Sequence, residues 1–341
     1  MTWVGVEGIE GVMDLLFADR PVTDGPRAAM STPVFDSDGV RLPSVLLTPA
    51  GDGPHPLVVM LNGFPGNERN ADVAQALRRV GFAVLTFHYR GSWGTGGEWS
   101  WGNVLADVRN VLASVREGAL SEADAGRLSA DAGQISVDAG RPLVDAGRLS
   151  VDAGRLSVDA GRPLVDAGRP LVDARQISVD TGQISLVGHS LGGFAALMTA
   201  AGDPHIRAVA AIAAFDLGAA GQLAAVDPAR RVAYEAAFGE ELLPLTGTSG
   251  PALVAEMRQA GAAWGLAALA ERLGDRPVLL VGADRDTVAE PDVHFRPLVD
   301  AYAHLPGFRH ARFDTDHALS DSRVGLTTTL ASFLTAPRST T

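Results

Sequence analysis

The run Ile184 to Gly202, ISLVGHSLGGFAALMTAAG, constrains the fold more than any other stretch of this chain. Three β-branched or aliphatic residues and a serine pass, through the turn Gly188-His189-Ser190-Leu191-Gly192, into a helix-forming segment rich in alanine and glycine. A strand followed this closely by a helix cannot belong to a hairpin sheet. It belongs to a βα unit, whose next strand must return parallel to the first. The same alternation recurs along the chain. Leu57–Leu61 (LVVML), Phe82–Phe87 (FAVLTF), Gln183–Val187, Ile206–Ala214, Val278–Val281 and Phe308–Phe313 read as short strands. Segments of helical period separate them: 69–81 with Val73, Leu77 and Val80 on one face and Gly81 as its cap, then stretches from about 102, from 191, near 291–303 and near 322–334. The pattern predicts an α/β fold with a mostly parallel, doubly wound sheet and helices on both faces. The Ala-rich segment 217–275 is longer than a plain crossover needs and is a possible helical lid.

One stretch breaks the alternation. Aspartates at 124, 131, 138, 145, 152, 159, 166, 173 and 180 stand seven apart, with the consensus D-A-G-[RQ]-[LIP]-[SL]-V between them. A glycine in nearly every unit, and Pro142, Pro163 and Pro170, exclude a coiled coil despite the period. Two organisations remain: a disordered low-complexity insert over 124–179, or a stack of four-residue strands joined by D-A-G turns. The insert divides an α/β domain made of 1–123 and 180–341. Lengthening one connection by about sixty residues costs about 2 kcal/mol of closure entropy, which a domain of this size tolerates.

Composition removes several function classes. With no cysteine there is no disulfide, thiolate nucleophile or Cys-based zinc site, and with every basic side chain an arginine there is no Schiff-base or phosphate-loop lysine. The formal net charge of −12 argues against nucleic acid. No apolar run reaches the roughly 18 residues of a membrane span, and the acidic N-terminus lacks a secretion signal's basic start, so a cytoplasmic location is expected.

The pentapeptide 188–192 fits G-x-S-x-G, a pattern that composition alone would produce here with roughly one chance in four. Its place at a strand-to-helix turn is what makes it informative. There a serine is held strained with its hydroxyl exposed, while the flanking glycines let strand and helix approach. On the residues LVVMLNGFPGNERN, HYRGSWG, SLVGHSLGGF, VLLVGADRDTVAEP and DTDHALSDSR, the chain resembles the α/β-hydrolase fold family. Within it the likeness is to prolyl-oligopeptidase-like and dienelactone-hydrolase-like enzymes, over Val40 to Leu334 outside the repeats.

The resemblance implies a catalytic Ser190, a general base at His317 in the turn after the last strand, and an acid at Asp286, with Asp284 as the alternative. It implies an oxyanion hole from the backbone N–H groups of Leu191 and Phe64, in N-G-F-P-G where the family often carries H-G-x-x-G. Asn62 then stands where the family has an orienting imidazole. Tyr89, Arg90, Trp93 and Trp101 should face the same cleft, with Tyr89 and Trp93 taken as substrate-binding; His189 and His310 are expected to pack or orient. The implied activity is hydrolysis of a small carboxylic ester with no cofactor or metal. A peptidase acting on short peptides, and an inactive binding scaffold, stand as alternatives.

Overall fold

The computed structural model describes Leu16 and residues 25–67, 70–120 and 179–336. The repeat insert, up to residue 178, lies outside the described residues, and so does the choice between its two organisations. Among the described residues the strands are β1 (Ala29–Ser31), β2 (Val34–Ser37), β3 (Val40–Thr48), β4 (His55–Leu61), β5 (Ala83–Phe87), β6 (Val179–His189), β7 (Ile206–Ile212), β8 (Val278–Ala283) and β9 (Phe308–Phe313). They pair in the order β1-β3-β5-β4-β6-β7-β8-β9, with β2 on β3. From β5 to β9 every pairing is parallel; β1, β2 and β5 run antiparallel to β3.

Each parallel strand sends alternate side chains into two separate cores. Leu57, Val59, Leu85, Ile184, Leu186, Val209 and Leu280 enter one, while Val58, Met60, Val84, Val187, Ala210, Leu279 and Val281 enter the other. That is why these strands read as continuous apolar runs rather than alternating ones. Helices α1 (Ala71–Arg79) and α10 (Arg323–Thr335) cover the second face. Helices α2 (Trp101–Arg116) and α3 (Leu191–Gly202) cover the first. Ser100 caps α2 by accepting from Asn103 N at 3.1 Å.

The long segment 217–275 folds as α4 (Leu217–Val226), α5 (Pro228–Glu240), α6 (Gly250–Ala260), two 3₁₀ turns at Gly261–Trp264 and Leu266–Leu269, and α7 (Ala270–Leu273). Local chemistry sets its breaks. Asp227 caps α5, accepting from Ala229 N at 2.8 Å with Pro228 at the first helical position, and Ser249 caps α6. Glycines set its tightness: a Cβ on Gly221 would lie 2.3 Å from Met257 O, and one on Gly250 2.0 Å from Glu235 O.

Two sequence expectations change. The helix near 291–303 is two helices, α8 (Pro291–His294) and α9 (Arg296–Tyr302), broken at Phe295 because Pro297 cannot sit inside a continuous helix. The first strand is not Leu57–Leu61: three antiparallel strands precede it, hidden by Pro43 in the middle of β3. Pro43 is tolerated because it acts only as an acceptor, its carbonyl taking His88 N at 3.0 Å.

Arg116, at the end of α2, pairs with Asp203, just past α3, at 2.7 Å. The described chain stops at Leu120 and resumes at Val179, at the entry end of β6. Asp180, the last of the seven-spaced aspartates, accepts from Gly182 N and Gln183 Nε2, closing an Asx turn where the β4–β6 register shifts. No helix among the described residues is long and apolar enough to cross a membrane.

Candidate active site

The leaving ends of β4, β6, β7, β8 and β9 share one rim of the sheet, and Phe64, Ser190, Asp286 and His317 follow the ends of β4, β6, β8 and β9. At the end of β6, Ser190 takes φ 55° and ψ −118°, a conformation costing a non-glycine residue about 1–3 kcal/mol. It is held there by its surroundings. Ser190 N donates to Ile212 O at 2.8 Å, and Ser190 O accepts from Phe194 N at 3.1 Å and Phe215 N at 3.2 Å. The flanking glycines have no room for a side chain: a Cβ on Gly188 would lie 1.9 Å from Gly192 O, and one on Gly192 2.0 Å from Leu61 O.

Beyond β8 and β9, His317 Nδ1 donates to Asp286 Oδ2 at 2.7 Å. The other oxygen of that buried carboxylate accepts from Val288 N and Ala289 N, both at 2.8 Å, which fixes its orientation. This bond puts the proton of a neutral imidazole on Nδ1 and leaves Nε2 as an acceptor. Asp284 points elsewhere, accepting from Arg312 Nε at 2.8 Å and Nη2 at 2.6 Å. No hydrogen bond joins Ser190 Oγ to His317 among the described residues. His317 instead meets His189, the residue before Ser190, whose Nε2 donates to His317 O at 2.9 Å and whose ring lies 4.9 Å from that of His317. Burial holds His189 neutral, its pKa lowered to about 4, and its Nδ1 is buried without a partner.

The turn after β4 lies against the serine: a Cβ on Gly63 would sit 3.2 Å from Ser190 Cβ. The Asn62 side chain donates to Phe87 O at 3.1 Å, and Asn62 O accepts from the Tyr89 hydroxyl at 3.2 Å. Tyr89 is 4% exposed, so it supports this turn from behind and does not line a cleft; burial raises its phenol. Leu191 opens α3, where no preceding turn can satisfy its N–H.

Other side chains expected at the cleft go elsewhere. Arg90 is buried in a network with Asp107 and Ser37, its Nε donating to Asp107 Oδ1 at 2.7 Å. Trp101 is buried and donates from Nε1 to Leu253 O at 3.0 Å. Trp93 is 44% exposed, its Nε1 3.0 Å from where a Gly66 Cβ would stand, beside the loop that continues the turn. His310 lies on β9 with its ring near Phe308 and Phe295, away from the serine.

Two residues at the site gave no signal in sequence. His294, the last of α8, is buried, accepts from Asp216 N at 3.0 Å on Nδ1, stacks on Phe215 at 4.2 Å and is held neutral by burial, its pKa lowered to about 4. Arg323 donates from Nη1 to Ala318 O at 2.9 Å and grips Asp72 with Nε and Nη2, tying the histidine turn to α1. Among the described residues no group of three or more His, Asp or Glu is placed to hold a metal ion.

Comparison with known proteins agrees with this layout. No curated protein matches the chain. Among solved structures, an esterase of Pyrococcus furiosus is 13% identical with TM-score 0.56, covering 99% of this chain and 97% of its own. Est1E from Butyrivibrio proteoclasticus is 16% identical with TM-score 0.51, covering 89% and 97%. The enol-lactonase from Burkholderia xenovorans LB400 is 16% identical with TM-score 0.53, covering 89% and 100%. At such identities the likeness is one of fold, the α/β-hydrolase fold. Residues 38–222, more than half of the chain, match the X-Pro dipeptidyl-peptidase (S15) family. The chain belongs to that family of serine hydrolases and carries its α/β-hydrolase fold.

Proposed function

We propose that the protein hydrolyses carboxylic esters through an acyl-enzyme on Ser190. The observation that carries this reading is the pairing of a strained serine at a strand-to-helix turn with an Asp286–His317 hydrogen bond of 2.7 Å on the same rim. A serine hydroxyl attacks a carbonyl only if its proton is removed as it does so. Asp286 holds the His317 proton on Nδ1 and thereby frees Nε2 to take the proton of Ser190 Oγ. The gap between hydroxyl and imidazole closes on substrate binding, as catalytic hydrogen bonds of free enzymes commonly do.

As Ser190 Oγ bonds to the acyl carbon, the carbonyl oxygen becomes an oxyanion and accepts from the N–H groups of Leu191 and Phe64, each worth about 3–4 kcal/mol in the transition state. Collapse breaks the bond to the alcohol oxygen, which takes the proton from Nε2. Water then attacks the acyl-enzyme with His317 again as base, and the acid and free serine are released. The hydrolase domain comprises 1–123 and 180–341, with 217–275 partly covering the site.

The esterases and the lactonase that share the fold favour an ester, whereas the family's description names a peptidase, so peptide hydrolysis is the second reading. Assaying p-nitrophenyl esters beside aminoacyl p-nitroanilides tests both. Ester turnover exceeding anilide turnover, and reduced about 10⁴-fold or more in kcat by Ser190→Ala, is expected. Turnover unchanged in Ser190→Ala would overturn the reading, as would no turnover of any acyl substrate.

A further inference from the structure

His317 stands on a loop, between the end of β9 at Phe313 and the start of α10 at Arg323. Among the described residues its imidazole makes one hydrogen bond, to Asp286. A shift of that loop would carry the imidazole with it, and a displacement of about 1 Å in such a group costs on the order of a hundredfold in rate. The loop backbone therefore needs its own anchors.

Two consecutive carbonyls of the loop are each taken by a side chain from another element. His317 O accepts from His189 Nε2, and Ala318 O accepts from Arg323 Nη1, both at 2.9 Å. His189 belongs to the end of β6, one residue before the serine. Its ring is wedged between two turns: Nδ1 lies 3.6 Å from where a Cβ on Gly63 would stand, and the His317 ring lies 4.9 Å away on another side.

Arg323 is itself fixed from the far side. Nε and Nη2 donate to the two carboxylate oxygens of Asp72 at 2.9 and 2.6 Å, and Nη2 donates also to Asn70 Oδ1 at 2.8 Å. With the bond to Ala318 O, four of the five guanidinium N–H groups have acceptors. Only a planar fork reaches all of these at once; the compact ammonium of a lysine does not. Asn70 is buried at φ 50°, in the left-handed region that asparagine tolerates better than most residues, and it opens α1, the helix that follows the turn carrying Phe64. The clamp thus runs from the start of α1 to the loop that bears the base. As a source of stability it is minor, because the Asp72 side chain is half exposed and ion pairs of that kind contribute about 0.2–1 kcal/mol. Its geometry matters more than its energy.

Resting on the acyl-hydrolase reading above, we propose that Arg323 is a positioning residue for the general base. Anchored on Asn70 and Asp72, it pins Ala318 O and, with His189 on the neighbouring carbonyl, keeps the His317 backbone in register with Ser190.

The test follows p-nitrophenyl acetate turnover, fluorophosphonate labelling and urea denaturation on the full-length protein. Arg323→Ala is expected to lower kcat and the labelling rate at least about tenfold, with KM within about threefold and a urea midpoint close to the parent's. Arg323→Lys keeps the charge without the fork and should recover no more than about threefold of that loss. Millimolar guanidinium, far below denaturing concentrations, should restore activity to Arg323→Ala at least about fivefold and leave His317→Ala unchanged. Asp72→Asn weakens the anchor and should add no further loss when combined with Arg323→Ala. An Arg323→Ala kcat within about threefold of the parent, or a loss that guanidinium leaves unrestored, would overturn the positioning role while Ser190-dependent turnover of the parent keeps the hydrolase reading standing. A parent with neither turnover nor labelling would overturn that reading itself.

Discussion

Two aspartates stand two residues apart after β8, and only one has a free path to the histidine. Asp284 is committed to Arg312, so Asp284→Asn should change kcat/KM by less than about threefold. Asp286→Asn removes the anion that fixes the His317 tautomer and should lower it about 10³–10⁴-fold, checked with one ester at saturating and limiting concentrations. Comparable losses in both would reject the assignment. Sequence pointed to Ser190 through its turn, and to His317 and the aspartates through the resemblance. It could not show the direction of a side chain: Tyr89 follows a strand like a cleft residue, yet its hydroxyl is spent on Asn62 O. Tyr89→Phe should therefore cost about 1 kcal/mol of stability, read by urea denaturation, and leave KM nearly unchanged. A large rise in KM with unchanged stability would instead make Tyr89 a substrate contact. His294 and Arg323 were invisible for a related reason, since each matters through a partner far along the chain, Asp216 and Asp72.

Elements were legible where one physical rule acted alone. The strands β4 to β8, with side chains in both cores, stood out as apolar runs, and α1 and α2 by their period. β3 was hidden because its proline argued locally against a strand that tertiary pairing nonetheless imposes. The helices of 217–275 were visible as a group but not in their packing, which depends on glycines that propensity counts as unfavourable. Gly250→Ala should force α5 from α6, since the added carbon would lie 2.0 Å from Glu235 O. A loss of about 1–3 kcal/mol is expected in chemical denaturation. An alanine variant as stable as the parent would mean that this contact does not set the position of α5.

For the molecule as a whole, two buried neutral histidines couple stability to pH. His189 and His294 have pKa values lowered by burial to about 4, against 6.5 when free. Between those values the unfolded chain binds more protons than the folded one, so stability is full above about pH 6.5 and falls as pH drops toward 4. Each contributes at most about 3 kcal/mol, and Asp216, raised by burial, opposes them in part. Urea midpoints should decline across that window, and His294→Gln should flatten the decline; a midpoint independent of pH would contradict the neutral burial of both.

The repeat joins the domain at the entry end of β6, so deleting 131–172 should leave ester turnover within about twofold. Loss of activity in a folded deletion variant would contradict that. The central claim, that Ser190 is the nucleophile activated by His317, is tested most directly by a fluorophosphonate followed by peptide mapping. The expected result is a single adduct on the peptide carrying Ser190, absent in Ser190→Ala and formed at least about a hundredfold more slowly in His317→Ala. An adduct that persists in Ser190→Ala, or no adduct at all, would contradict it.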